Sequence, residues 1–263
     1  MTYGFIGCGN MGGAIATAVC RAVGAENVVL ANRSREKAES LAAKLGCWVG
    51  ENRDAALCDF VFLGVKPHLM ADMLKQIAQV LAAKKPVLVS MAAGLTAARI
   101  REMADCDCPV IRIMPNTPAA IGQGMIQYCL LDVSDQEETV FLQAMAPAGR
   151  LDKLDEKLID AASAVSGCGP AFASMFLEAL ADGGVACGLP RAKALEYAAQ
   201  MLAGTALLLL ESGKHPGELK DAVCSPGGST IQGVRSLEQY GFRGAVTDAV
   251  IAAFEKNKDL AKN

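Results

Sequence analysis

Six residues near the start of the chain restrict its fold most: Gly7-Cys8-Gly9-Asn10-Met11-Gly12, a G-x-G-x-x-G string. Alone the string is a weak signal. Its setting strengthens it: the apolar run 3–6 precedes it and an Ala-rich helical pattern over 11–23 follows. A second strand at 27–31 closes a unit of about 30 residues, the form of a dinucleotide-binding fingerprint. The first glycine permits a tight turn, the second lets backbone approach a pyrophosphate, and the third lets helix and strand pack closely. The helix N-terminus then offers N–H groups to the anion. Gly7, Gly9, Asn10, Met11 and Gly12 are therefore candidate cofactor contacts. The plainer alternative is a Gly-rich turn with no ligand.

Downstream the alternation continues. Apolar runs at 59–65, 86–90 and 109–114 read as strands; 37–45, 68–83 and 96–104 read as helices, the first behind Ser34 as N-cap. Continuous apolar strands between helices argue for a doubly wound parallel sheet covered on both faces. After about residue 150 the strand signals stop. Helical patterns cover 156–165, 170–187, 191–211, 216–223, 229–240 and 244–262. The expected architecture is α/β: a Rossmann-type dinucleotide-binding domain over 1–153, then an all-helical domain over 154–263. The stretches 171–181, 192–210 and the last helix are apolar nearly all round, which implies burial on several sides. One small domain offers little interior for them, so the helical domain is expected to pack against its copy in a homodimer.

The end of the second strand separates NAD from NADP. A carboxylate there would bond the ribose 2′-hydroxyl and repel a 2′-phosphate. This chain has Asn32-Arg33-Ser34, and no carboxylate appears before Glu36. Arg33 can pair with a phosphate, and Asn32 and Ser34 can donate to it. The expected cofactor is NADPH, with NADH as the alternative donor, and Asn52 is a further candidate for the adenosine ribose. If no phosphate binds, Arg33 and Ser34 only open a surface helix. Ligands of open α/β sheets bind beyond the carboxyl ends of the strands. That makes Val65-Lys66-Pro67, Ala92-Ala93-Gly94 and Asn116, in Met114-Pro115-Asn116-Thr117-Pro118, candidate cofactor contacts as well.

In the helical half, Ser225-Pro226-Gly227-Gly228-Ser229-Thr230 runs into a helix. Its glycines and small residues expose backbone N–H groups at a helix N-terminus, a cradle for a carboxylate or a phosphate. A plain N-cap with a Gly turn is the competing account. Ser166-Gly-Cys-Gly-Pro170-Ala171 is a similar helix start. Between Lys157 and Arg191 there is no Lys, Arg or His. A hydroxyacid dehydrogenase needs a base to take the hydroxyl proton. Reduction of an acceptor that is already electrophilic, such as a protonated imine, needs none.

Composition excludes other classes. Lys and Arg number 25 against 28 Asp and Glu, so no basic footprint for nucleic acid exists. Mean hydropathy is +0.28, but 201–210, the apolar run bounded by Gln200 and Glu211, is shorter than the ~20 residues a spanning helix needs. The N-terminus has no basic n-region of a secretory signal. Ten cysteines include no C-x-x-C, and the two histidines, His68 and His215, lie far apart, so zinc spacing is absent. Reduced cysteines in a soluble, cytoplasmic, metal-free protein are expected.

Taken together, these motifs resemble the pyrroline-5-carboxylate reductases nearly end to end. The resemblance rests on Gly7-x-Gly9-Asn10-Met11, Asn32-Arg33-Ser34, Val65-Lys66-Pro67, Ala92-Ala93-Gly94, Met114-Pro115-Asn116-Thr117-Pro118, Ser166-Gly-x-Gly-Pro170-Ala171 and, most specifically, Asp221-x-Val223-x-Ser225-Pro226-Gly227-Gly228-x-Thr230. It implies an oxidoreductase of proline biosynthesis that reduces 1-pyrroline-5-carboxylate to L-proline by hydride transfer from NAD(P)H. It implies that Ser225, Gly227, Gly228, Ser229 and Thr230 hold the substrate carboxylate, with Thr230 also near the ring nitrogen as the catalytic group. Substrate sites at a homodimer interface, and decamers among the higher assemblies, are implied too. Some relatives carry an acid at the position of Gly213, so no proton donor is assigned there. An NADP-dependent hydroxyacid dehydrogenase and a non-catalytic NADPH sensor remain as alternatives.

Overall fold

In the computed structural model, which describes residues 1–260, eight short strands form one sheet. They are β1 (Tyr3–Ile6), β2 (Val28–Ala31), β3 (Trp48–Val49), β4 (Phe60–Leu63), β5 (Val87–Ser90), β6 (Val110–Met114), β7 (Gly124–Leu131) and β8 (Gly149–Lys153). Across the sheet the order is β3-β2-β1-β4-β5-β6-β7-β8. Helices α1 (Asn10–Val23), α2 (Arg35–Leu45), α3 (Asn52–Ala56), α4 (Pro67–Lys84) and α5 (Ala97–Ala104) connect the first six strands, and α6 (Asp135–Met145) joins β7 to β8. The strand order reverses between β1 and β4, the switch point of a doubly wound fold.

The parallel arrangement holds for β1 to β6. β7 and β8, which the apolar pattern does not reveal, run the other way: β7 pairs antiparallel with β6, and β8 parallel with β7. The chain turns back through a short 3-10 helix, Thr117–Ile121. That link is too short for the crossover of a dozen or more residues that a parallel neighbour needs.

Alternate strand residues fill the two faces. Phe5, Phe62, Val89 and Ile111 pack with Ile15 and Val19 of α1 and Phe141 of α6. Ile6, Val61, Leu63 and Leu88 pack with Leu74 and Ile77 of α4 and Ile100 of α5. The Phe5 and Phe62 rings stack with centroids 4.4 Å apart.

The helical half comprises α7 (Glu156–Ser166), α8 (Gly169–Ala186), α9 (Arg191–Ser212), α10 (Pro216–Ala222), α11 (Ser229–Gln239) and α12 (Phe242–Leu260). Each expected helix is present with ends shifted by a residue or two. Residues 261–262 of the last one lie outside the described residues. No strand follows β8 among the described residues. Element type thus changes after Lys153, but packing divides the chain elsewhere. One compact unit holds Met1–Cys168 and the chain from Ala253; the other holds Gly169–Ala252. α7 belongs with the sheet, where Ile159 packs with Met114 and Cys129.

Two expectations are corrected. Cys106 and Cys108, in the connection between α5 and β6, form a disulfide, so these two are not free thiols. The other eight cysteines are free. Second, the stretch that best meets the length and apolarity of a membrane span is Glu156–Ala186 rather than 201–210. It is two helices broken at Gly167 and Cys168, and it carries Glu156, Asp160, Glu178 and Asp182.

Candidate active site

Parallel strands bring the loops that follow β1 to β6 to one edge of the sheet. Gly7 has φ +99°, a conformation that suits glycine. A Cβ there would lie 2.6 Å from the Gly64 carbonyl oxygen, and one on Gly12 would overlap the Gly7 carbonyl. Gly9 differs: a Cβ on it would meet nothing within 4 Å. Packing therefore requires Gly7 and Gly12, while Gly9 is free for a ligand to approach. Gly64, after β4, backs Gly7 and was not singled out by the motif; its sign was a glycine ending an apolar run. No side chain caps α1, whose N-cap is Gly9, so the first-turn N–H groups of Asn10, Met11 and Gly12 face the cradle. Burial pushes the Cys8 thiol up to about 12, so it adds no charge there.

Asn32 turns out to be a brace. Its Oδ1 accepts from Cys8 N (2.9 Å) and its Nδ2 donates to the Ser34 carbonyl (2.9 Å), tying the Gly-rich loop to the turn after β2. Ser34 occupies the N-cap position of α2, but its side chain does not cap the helix. Arg33 is exposed and forms no ion pair among the described residues. Its neighbour Arg35, by contrast, pairs with Glu39 (2.9 Å) and Glu51 (3.3 Å). Lys66, the N-cap of α4 before Pro67 and after half-buried Val65, is likewise exposed and unpaired among the described residues. An uncapped helix start with two unpartnered cations on the same edge fits a polyphosphate. Asn52 opens α3, half-buried, beyond β3 on that edge.

After β5, Ala92 is buried, Ala93 half-buried, and Gly94 turns the chain with φ +76°. Asn116 is buried and its amide is taken up internally: Nδ2 donates to the Ser166 carbonyl (2.9 Å) and Oδ1 accepts from Met125 N (3.0 Å). The structure gives it the task of shaping the loop after β6.

In the helical unit, Gly227 (φ +69°) turns the chain into α11, whose N-cap is Gly228 with no side-chain cap. Gly228 N donates to the Ser225 carbonyl at 3.0 Å, which closes the turn. A Cβ on Gly228 would overlap the Ser225 hydroxyl. The hydroxyls of Ser225, Ser229 and Thr230 are exposed and make no hydrogen bond among the described residues. Free hydroxyls beside uncapped N–H groups suit an anion such as a carboxylate. Among the described residues no group of three or more metal-ligating side chains occurs.

This chain is 39% identical over 265 residues to the pyrroline-5-carboxylate reductase of Escherichia coli strain K12, covering 99% of this chain and 98% of that one. The chain belongs to the pyrroline-5-carboxylate reductase family. The enzyme of that name from Glycine max is also 39% identical, over 99% of this chain and 96% of its own. Among solved structures, the Plasmodium falciparum pyrroline carboxylate reductase with NADP bound superposes with a TM-score of 0.90 at 32% identity, covering 99% and 98% of the two chains. Residues 156–260 match the family described as pyrroline-5-carboxylate reductase dimerisation. Residues 2–94 match the family described as NADP oxidoreductase, coenzyme F420-dependent.

Proposed function

We infer that this chain is an NAD(P)H-dependent reductase that converts 1-pyrroline-5-carboxylate to L-proline, the last step of proline biosynthesis. The observation that carries the reading is family membership over the full chain, with an open phosphate cradle and an open carboxylate cradle both present. NADPH is the cofactor: the Plasmodium falciparum relative has NADP bound, and Arg33 and Ser34 after β2 suit the 2′-phosphate. The pyrophosphate lies over Gly7, Gly9 and the first turn of α1. Arg33 and Ser34 take the 2′-phosphate, Asn32 holds their turn, and Asn52 reaches the ribose. Lys66, Val65 and Pro67, with Ala92, Ala93 and Gly94, line the remainder, and Asn116 supports the last loop.

A nicotinamide bound there supplies hydride. The chain contributes position and an anion cradle rather than a strong base. The Gly227 and Ser229 N–H groups, with the Ser225, Ser229 and Thr230 hydroxyls, hold the substrate carboxylate, and Gly228 shapes the cradle by closing its turn on the Ser225 carbonyl. The Thr230 hydroxyl orients the ring nitrogen of the protonated imine while hydride adds to the adjacent carbon.

The working assembly is a homodimer, which buries the apolar faces of α8 and α9, with a decamer as the higher assembly and the cytoplasm as its location. Neither a membrane nor a nucleic acid is a partner in this reading. The hydroxyacid dehydrogenase and sensor alternatives gain nothing from the comparisons. The test is NADPH oxidation at 340 nm with pyrroline-5-carboxylate, repeated with NADH. Saturable oxidation with an NADPH preference supports both the reaction and the task given to Arg33. NADPH binding without oxidation overturns the reaction.

A further inference from the structure

Arg112 lies on β6, in register with Ser90 of β5 and Cys129 of β7, and is 2% exposed. A buried charge requires partners. Its Nη2 donates to Asp160 at 2.7 Å and its Nη1 to Glu156 at 3.4 Å, both on the first turns of α7. Its Nε has no partner among the described residues. The two carboxylates differ in one respect. Glu156 Oε1 also accepts the backbone N–H of Ala97 at 2.7 Å, whereas Asp160 makes no hydrogen bond to that segment among the described residues. Ala97 is the first residue of α5, three positions beyond Gly94. Its N–H is one of the helix-start donors with no partner inside the helix. Thr96 satisfies another, through its side chain and Arg99 N at 3.1 Å.

The 92–94 loop is therefore held at both ends. On the strand side the Ser90 hydroxyl accepts from Ala92 N at 3.4 Å; on the helix side Glu156 holds Ala97. Ala93 packs beneath, against Met114, Cys129 and Ile159. This loop has no long side chain of its own, so only its backbone position can serve a bound cofactor.

We propose that Glu156, itself fixed by Arg112, is a positioning residue that sets the height of the 92–94 loop against the nicotinamide half of NADPH. The proposal rests on the NADPH reading above. Its role differs from that of a plain ion pair because one oxygen links a buried cation to the start of α5.

The experiment compares E156A, E156Q and D160N in the full chain. NADPH dissociation constants come from fluorescence titration without substrate, and Tm, kcat and KM are measured alongside. E156A is expected to weaken NADPH binding ~10-fold, the scale of a lost charge-assisted hydrogen bond, with KM for pyrroline-5-carboxylate unchanged. E156Q keeps an oxygen that can accept from Ala97 N and is expected to recover most of that loss. D160N is expected to lower Tm but to shift NADPH affinity by no more than about twofold. Wild-type affinity in E156A overturns the proposal, as does equal weakening in D160N. If E156A does not fold, E156L, which keeps the bulk and removes the acceptor, takes its place on the same criterion. Because affinity is read without substrate, this comparison stands even if the wild-type chain fails to oxidise NADPH with pyrroline-5-carboxylate. That failure would overturn the proposed reaction instead.

Discussion

Ile15, Leu74 and Phe141 in the sheet unit are buried completely by the chain's own strands and helices. In the helical unit Leu208 and Leu210, no less apolar, stand 53% and 69% exposed, and only Ala181, Ala194 and Ala198 are buried. The two units solve the same problem differently. A sheet has two faces, and helices from the same chain cover both. Helices α8 and α9 are apolar nearly all round and have too few neighbours in their own unit. Between them runs an apolar groove of about 280 Å³ lined by Leu180, Leu189, Tyr197 and Met201. Exposed apolar surface of this extent marks an interface, and the match to a dimerisation family fits that reading. High mean hydropathy therefore reflects an interface as well as a core.

The comparison can be broken most directly on α9. Leu208→Glu places a charge on the face assigned to the second copy, at a side chain 53% exposed within one copy. Loss of the dimer and a fall in turnover of ~100-fold are expected, since a charge buried at an interface is costly. NADPH affinity stays as in the wild type. Light scattering and steady-state assays read both; a fully active monomer would sink the dimer proposal. Thr230→Ala tests the helical unit's chemistry. A fall in kcat of ~100-fold is expected if the hydroxyl orients the ring nitrogen, with NADPH affinity kept. Unchanged kinetics remove Thr230 from the site.

Two glycines sharpen the sheet unit's side. Gly12→Ala forces a Cβ into the Gly7 carbonyl and is expected to lower stability by about 1–3 kcal/mol. Gly9→Ala meets nothing in the chain, so Tm should hold while NADPH binding weakens ~10-fold, about 1.4 kcal/mol. Thermal melts with and without NADPH separate the two, and a Tm loss in Gly9→Ala contradicts the open cradle.

The smallest expected effect is electrostatic. Burial pushes the Asp59 carboxyl up, but Lys84 at 2.8 Å and the Thr2 N–H and hydroxyl outweigh it and hold its pKa below the ordinary carboxylate value. A lowered folded pKa stabilises above the unfolded pKa, and the contribution disappears as pH falls through the folded value. Asp59→Asn should therefore lower stability by about 0.5 kcal/mol at neutral pH and by nothing in strong acid. On α9, the exposed Lys193–Glu196 pair should contribute nothing measurable at either pH. Urea melts at the two pH values check both pairs.

Much of the fold was legible because its signals are local. The Gly-rich turn, the period of the helices and the apolar strand runs each lie within a few residues. β3 and β8 were not legible. Trp48–Val49 is only two residues, and Gly149–Lys153 contains one apolar side chain. β7 is apolar enough, but it follows a proline-rich loop that masks its start. The candidate glycines and the unpaired cations Arg33 and Lys66 lie at the strand ends and helix start where the sequence places them. Asn32 and Asn116 had the right chemistry and the right loops, but their amides serve the backbone around them. A residue's type shows what it can bond, not which neighbour reaches it first.

By itself, the sequence determined the kind of elements, the cofactor class and the family. The elements follow from short-range periodicity, the cofactor class from the glycines and the residues after β2, and the family from a resemblance carried by short motifs. The tertiary structure alone decided the direction of β7 and β8, the Cys106–Cys108 bond and the partition of apolar surface between a core and an open face. It also decided that Arg112, Glu156 and Ala97, drawn from three distant stretches, meet at one carboxylate oxygen. Such contacts depend on which elements pack together, and pairing between distant segments leaves no periodic trace in either one.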